Sequence, residues 1–178
     1  GKWRLNYTST VKAGGNIEID LSYLYRTPFF PVVIKDSIQV GRYQANRIPL
    51  LDLHELAAGK LAALMSRKAS RDLYDAHKLF SYSESLDREK LRLVFIVYGG
   101  MNRRDWRTLK IEDLGFDPSE LKKKLMPVLK QQDIQRAGLT EQLIHDSKKA
   151  MSILLPFKSH EQEFLDLLLD KAQIEPSL

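Results

Sequence analysis

The chain has 178 residues, 43% of them hydrophobic and 29% charged, with a formal net charge of +5 and no cysteine. That is enough for one sizeable domain or two small ones of ordinary soluble composition, and it excludes disulfide scaffolds and thiolate metal sites. The longest apolar run, Leu93-Val94-Phe95-Ile96-Val97-Tyr98, is far too short to cross a bilayer, so no membrane partner is expected. Gly1-Lys2-Trp3-Arg4 leads into a strand pattern with no signal peptide, and the location expected is cytoplasmic. The runs Arg103-Arg104 and Lys122-Lys123-Lys124 read first as solvated helix faces and second as contacts for a phosphate-bearing partner.

Residues 2–10 alternate, with Trp3, Leu5 and Tyr7 on one face and Lys2, Arg4, Asn6 and Thr8 on the other. Residues 16–25 repeat the pattern through Ile17, Ile19, Leu21, Tyr23 and Tyr25, and Ala13-Gly14-Gly15-Asn16 supplies a turn between them. An antiparallel hairpin follows. Residues 29–40 hold one or two further strands, with Pro31 pushing their start to an edge. Ile48-Pro49-Leu50-Leu51 then hands over to a first helix, which Asp52 caps and Glu55 closes as a capping box. Gly59 inside that helix costs about 1 kcal/mol relative to alanine, which points to close packing there.

Ser70 caps a second helix running to Ser81, and helical periodicity returns at 87–98, 118–130, 140–154 and 159–173. Asp117-Pro118 marks one helix start and Pro156 separates the last two. The expectation is an α+β fold: a small N-terminal antiparallel or mixed sheet over 1–51, then a C-terminal helical bundle over 52–178.

The stretch 53–80 carries the chemistry. On a helical wheel begun at Leu53, Leu56, Ala57, Leu61 and Leu64 fall within about 80° of it, and Lys60 lands in the middle of that stripe. Such a lysine either snorkels its ammonium to water or meets an anionic ligand that compensates its desolvation. Arg71, Asp72 and Asp75 open the next helix. Asp72 suits the helix dipole and Arg71–Asp75 is an i,i+4 pair. A short Arg67-Lys68-Ala69 link folds the two helices back on each other, so the Lys60 ammonium can approach Asp72 and Asp75. Glu18 and Asp20 lie two apart on one strand and point to one face about 7 Å apart. They read as a solvated face or as hard oxygen ligands for Mg²⁺. The four histidines lack metal-ligand spacing, and no Walker or Rossmann glycine loop is present.

Residues 55–64, Glu55-Leu56-Ala57-Ala58-Gly59-Lys60-Leu61-Ala62-Ala63-Leu64, then Arg67 and Arg71-Asp72-Leu73-Tyr74-Asp75, resemble the AbiEii/AbiGii toxin family. Its pattern there is a Glu-x-x-Ala-x-Lys-Leu-x-Ala-Leu helix followed by Arg-Asp-x-Tyr-Asp. Stretches 106–127 and 154–168 resemble its C-terminal helices, and 16–25 with Arg26-Thr27-Pro28 its middle strand. The resemblance implies a nucleotidyltransferase-like toxin of type IV toxin–antitoxin systems, whose sheet is here incomplete. It implies Mg²⁺-dependent transfer of a nucleoside monophosphate from an NTP to an acceptor, in some members the 3′ end of tRNA, and a cognate antitoxin as partner. Lys60 and Arg71 are thereby expected on the nucleotide, Asp75 with Asp72 close behind as the motif acids, and Asp20, or alternatively Glu18, on the metal.

The family's first motif, a Gly-Gly/Ser turn and helix followed by an Asp-x-Asp strand, is not among these residues. The chain is therefore expected to be a fragment of a longer protein or a form that has lost catalysis, inactive or nearly so. The competing expectation is a non-catalytic module that binds an antitoxin or RNA, with Lys60 as buried structure.

Overall fold

A computed structural model describes residues 1–9, 14–21, 27–80, 86–102, 104–134 and 138–175. Ala13 of the turn, Tyr23 and Tyr25 of the strand tail, Arg26, the helix end at Ser81, and Arg103 lie outside these residues. Strands β1 (Lys2–Tyr7) and β2 (Gly15–Asp20) form an antiparallel hairpin with Trp3 opposite Ile19 and Leu5 opposite Ile17. Strands β3 (Val33–Lys35) and β4 (Ile48–Leu50) form a second antiparallel pair. The α+β expectation holds, with two two-stranded sheets among the described residues.

Among the described residues seven α-helices follow: α1 (Leu53–Arg67), α2 (Ser70–Phe80), α3 (Arg88–Gly100), α4 (Pro118–Glu120), α5 (Gln131–Ile134), α6 (Leu139–Met151) and α7 (Ser159–Lys171). Asp117 caps α4 through Ser119, with Pro118 at the first helical position as the sequence predicts, and α4 widens into a π turn over Leu121–Leu125. Among the described residues no helix is long and apolar enough to cross a membrane.

Among the described residues the fully buried core lies in the helical half. Leu61, Leu64, Met65, Leu73, Phe95, Trp106, Leu143, Met151 and Leu165 are all essentially inaccessible to solvent. Trp106 sits 4.8 Å from Phe95, centroid to centroid, and its ring lies so close to Gly99 that an added Cβ there would fall 2.1 Å from Cε3. Gly99 is thus where α3 admits the tryptophan. At Gly59 the expectation of close packing is corrected. A Cβ there would meet only the Tyr98 ring, at 3.5 Å, an ordinary contact.

The buried face of α1 also differs from the expectation. It consists of Glu55, Ala57, Ala58, Leu61, Ala62, Leu64 and Met65, whereas Leu53 and Leu56 are 39% and 40% exposed. The centre of the buried stripe is turned by roughly a third of the circumference from Lys60. Side-chain size explains it: the three alanines let the helix backbone close on α2 and α3, which a wheel weighted by leucines does not register. Lys60 is consequently half-exposed, at the margin of the stripe.

One buried polar network braces the bundle. Arg92 on α3 donates through Nε and Nη2 to Glu161 on α7 (2.8 and 2.5 Å) and through Nη1 and Nη2 to the carbonyls of Ile153 and Pro156. Glu161 also accepts from the Lys158 N–H at 2.6 Å.

Candidate functional site

The α1–α2 hairpin builds the site. Its turn is tight because Lys68 ends α1 in the left-handed conformation (φ 56°) and its N–H returns to the Leu64 carbonyl at 3.2 Å. That brings the last two turns of α1 against the first two of α2. The Lys60 ammonium then meets Asp75 Oδ2 at 2.9 Å, with the two side chains 52% and 34% exposed. Arg67, seven residues along the same face, grips Asp72 with two hydrogen bonds, Nη2 to Oδ1 at 2.7 Å and Nε to Oδ2 at 3.1 Å. The Asp72 side chain is buried.

The two acids are therefore divided between two cations. Asp75 belongs to Lys60, as the hairpin geometry predicts. Asp72 faces inward and serves Arg67, so its part is to hold the hairpin closed. Arg71 is exposed and, with Tyr74, Asp75, Lys78 and Lys130, lines a cleft of about 560 Å³ on the far side of the Lys60–Asp75 pair. The i,i+4 Arg71–Asp75 pairing gives way to Lys60, which reaches Asp75 from the neighbouring helix.

On the near side lies a second cleft of about 540 Å³, walled by Glu55, Leu56, Gly59, Lys60, Tyr98 and Asn102. Glu55 is its unexpected member. Asp52 caps α1 through the His54 N–H at 2.8 Å, but Glu55 does not turn back to complete a capping box. It points inward, where Oε2 accepts from the Phe30 N–H at 3.1 Å and Oε1 from the Tyr98 hydroxyl at 3.0 Å. This carboxylate ties the segment before β3 and the helix α3 to α1, and so shapes the cleft. Its only sequence signal is an acidic residue at a position with another local explanation.

Ser70 is likewise not the cap of α2. It is the first helical residue, and its N–H is satisfied by Glu120 Oε2 at 3.0 Å, from fifty residues along the chain. Lys124 holds Glu120 in turn, and together they keep that carboxyl below its ordinary pKa.

Glu18 and Asp20 share one face of β2, as strand periodicity requires. They form a ladder with β1: Arg4 donates to Glu18 from Nε (3.0 Å) and Nη2 (2.6 Å), and Lys2 lies 3.0 Å from Glu18 and 4.0 Å from Asp20. The bonds from Arg4, then Lys2, hold the Glu18 carboxyl below its ordinary pKa. A carboxylate already neutralised by two cations is a poor Mg²⁺ ligand. Among the described residues no group of three or more His, Asp or Glu side chains converges, so the residues present do not fit the ion.

Residues 1–166 match the family described as Nucleotidyl transferase AbiEii toxin, Type IV TA system. No curated protein and no solved structure matches the chain. The family match spans nearly all of the chain, which therefore belongs to that family of nucleotidyltransferase-like toxins.

Proposed function

From that membership we propose that the α1–α2 hairpin is the triphosphate-binding side of a nucleotide-transfer site, and that these 178 residues bind an NTP without transferring its nucleotide. The observation that carries the reading is the Lys60–Asp75 pair. The ammonium is half-exposed on the wall of one cleft, held by an acid that lines the other and fixes its position without burying it. A phosphate entering the cleft that Lys60 walls gains a charge-assisted contact at little desolvation cost. Arg71, exposed one turn before Asp75, lines the other cleft and is proposed to meet a further part of the same anion. Asp72 contributes by closing the hairpin through Arg67.

Transfer of the nucleotide requires carboxylates that hold a metal. The sequence contains no Asp-x-Asp, and Glu18 and Asp20 are engaged by Lys2 and Arg4. The experiment is calorimetric titration of an NTP into the protein, with Mg²⁺ and with a chelator, alongside a pyrophosphate-release assay with an RNA acceptor. Saturable binding without pyrophosphate supports the reading. Absence of binding, or pyrophosphate release above that of buffer, overturns it. A second reading, a module that binds the cognate antitoxin and no nucleotide, is favoured by the uncovered apolar surface of the strands.

A further inference from the structure

The charged side chains of α2 do not end at the Lys60–Asp75 pair. Arg71, Tyr74, Asp75 and Lys78 follow at the i, i+3, i+4 and i+7 spacing that puts them on one helix face. The wall opposite that face is formed by residues 125–133. Glu120 fixes the start of this segment by accepting the Ser70 N–H, and the buried Leu121 and Leu125 belong to a π turn packed on α2. Pro127 then breaks the helix in a 3₁₀ turn over Met126–Val128, and α5 begins beyond it. The gap left between the two walls is the α2 cleft of about 560 Å³, and every residue lining it belongs to the helical half.

Among the described residues three cations line the cleft, Arg71, Lys78 and Lys130, against two acids, Asp75 and Asp133. Lys60 already neutralises Asp75, so three cations face one acid, an excess of two positive charges. Elsewhere in the helical half Arg104, Arg107, Lys124 and Lys158 each meet an acid at 3.0 Å or less. The Arg71 and Lys130 side chains meet none among the described residues. Leu125, Leu129 and Tyr74, buried or half-buried, give the cleft an apolar floor over which those charges are weakly screened. Arg71 and Lys78 stand two turns apart, about 10 Å along the helix axis, which suits an extended anion better than a compact one. Lys78 lies 5.2 Å over the Tyr74 ring, so the aromatic face in the cleft is taken and offers no platform for stacked bases. We propose that the α2 cleft seats a group of linked phosphates, held by Arg71, Lys78 and Lys130. Such a group comes either from the far end of an NTP whose nearer phosphate meets Lys60, or from free pyrophosphate. For the first source this rests on the nucleotide reading above and extends it across the ion pair: Lys78 and Lys130 become the residues that distinguish a triphosphate from a monophosphate.

The test is calorimetric titration of pyrophosphate, an NTP and the matching NMP into wild type, into Lys78→Ala/Lys130→Ala, and into the charge-matched control Lys122→Ala/Lys123→Ala, whose lysines are exposed and lie off the cleft. Wild type is expected to bind pyrophosphate saturably. The cleft variant should lose at least roughly tenfold in affinity for pyrophosphate and for the NTP, with its NMP affinity and helical circular dichroism unchanged. The control should match wild type. Equal losses in the cleft variant and the control would mean that net charge alone attracts the anion, and would overturn the proposal. So would pyrophosphate affinity that the cleft variant leaves untouched, or saturable pyrophosphate binding absent from wild type. Pyrophosphate binding lost in the cleft variant, together with no NTP binding by wild type, would support the cleft assignment with free pyrophosphate as the source and overturn the nucleotide reading.

Discussion

Replacing Glu55 separates two ways in which a buried carboxylate can serve this fold. Glu55 is 2% exposed, and its partners are neutral donors, the Phe30 N–H and the Tyr98 hydroxyl. Glu55→Ala removes the carboxylate that accepts from both donors beneath the cleft. At about 1–3 kcal/mol for each bond lost, the loss is about 2–6 kcal/mol. For a chain of this size each kcal/mol moves the midpoint by about 2–4 °C, so Tm should fall by about 10 °C. Glu55→Gln should behave differently. Its amide oxygen can accept from Phe30 while its NH₂ donates to the Tyr98 oxygen, so the cost stays within about 1 kcal/mol. Urea denaturation at neutral pH with calorimetry measures both. A Gln variant as unstable as the Ala variant would refute the reasoning, because it would mean that the charge itself, not its hydrogen-bonding capacity, is what the site requires.

Two further outcomes follow from the helical half. Arg92→Leu leaves Glu161 buried without its cation and strands the Ile153 and Pro156 carbonyls, so stability should drop by about 3–5 kcal/mol. Arg92→Leu/Glu161→Leu should recover a large part of that loss, and a double variant no better than the single one contradicts the assignment. Asp87 caps α3 by accepting from the Glu89 and Lys90 N–H groups, and the Lys90 bond foremost holds its carboxyl below the ordinary pKa. A carboxyl lowered in the folded state contributes fully above the unfolded value, about 3.9, and loses that contribution as pH falls through the folded one. The stability advantage of wild type over Asp87→Asn should therefore shrink as pH is lowered from 7 to about 3. Urea midpoints across that range that keep a constant separation count against it.

What is legible in the sequence here is mostly what is local. Asp52 and Asp117-Pro118 announce helix starts because a cap is built from residues a few positions apart. The Lys60–Asp75 contact is legible because a three-residue link leaves a helical hairpin little freedom. The choice of Arg67 by Asp72 is not, since two cations compete for two acids and only the buried position of Asp72 decides. Glu55 and Ser70 show the converse. Each fits a local capping rule, yet tertiary partners override it: Tyr98 and Phe30 claim Glu55, and Glu120 takes over at Ser70. The α1 face is misjudged because small side chains bury a helix as effectively as large ones when the neighbouring backbone can approach.

Lys60 is the proposed ligand group, and its effects on affinity and stability can be measured together. The Lys60–Asp75 pair is largely exposed, so Lys60→Ala should cost only about 0.2–1 kcal/mol of folding stability. Loss of a charge-assisted phosphate contact is worth about 1.5–3 kcal/mol, roughly 10- to 100-fold in Kd. Calorimetric titration of an NTP into wild type and Lys60→Ala, with unfolding followed on the same samples, is the direct measurement. For Lys60 as a phosphate ligand, affinity should fall by that factor while Tm moves by less than about 4 °C. Equal affinity in the two proteins would contradict it.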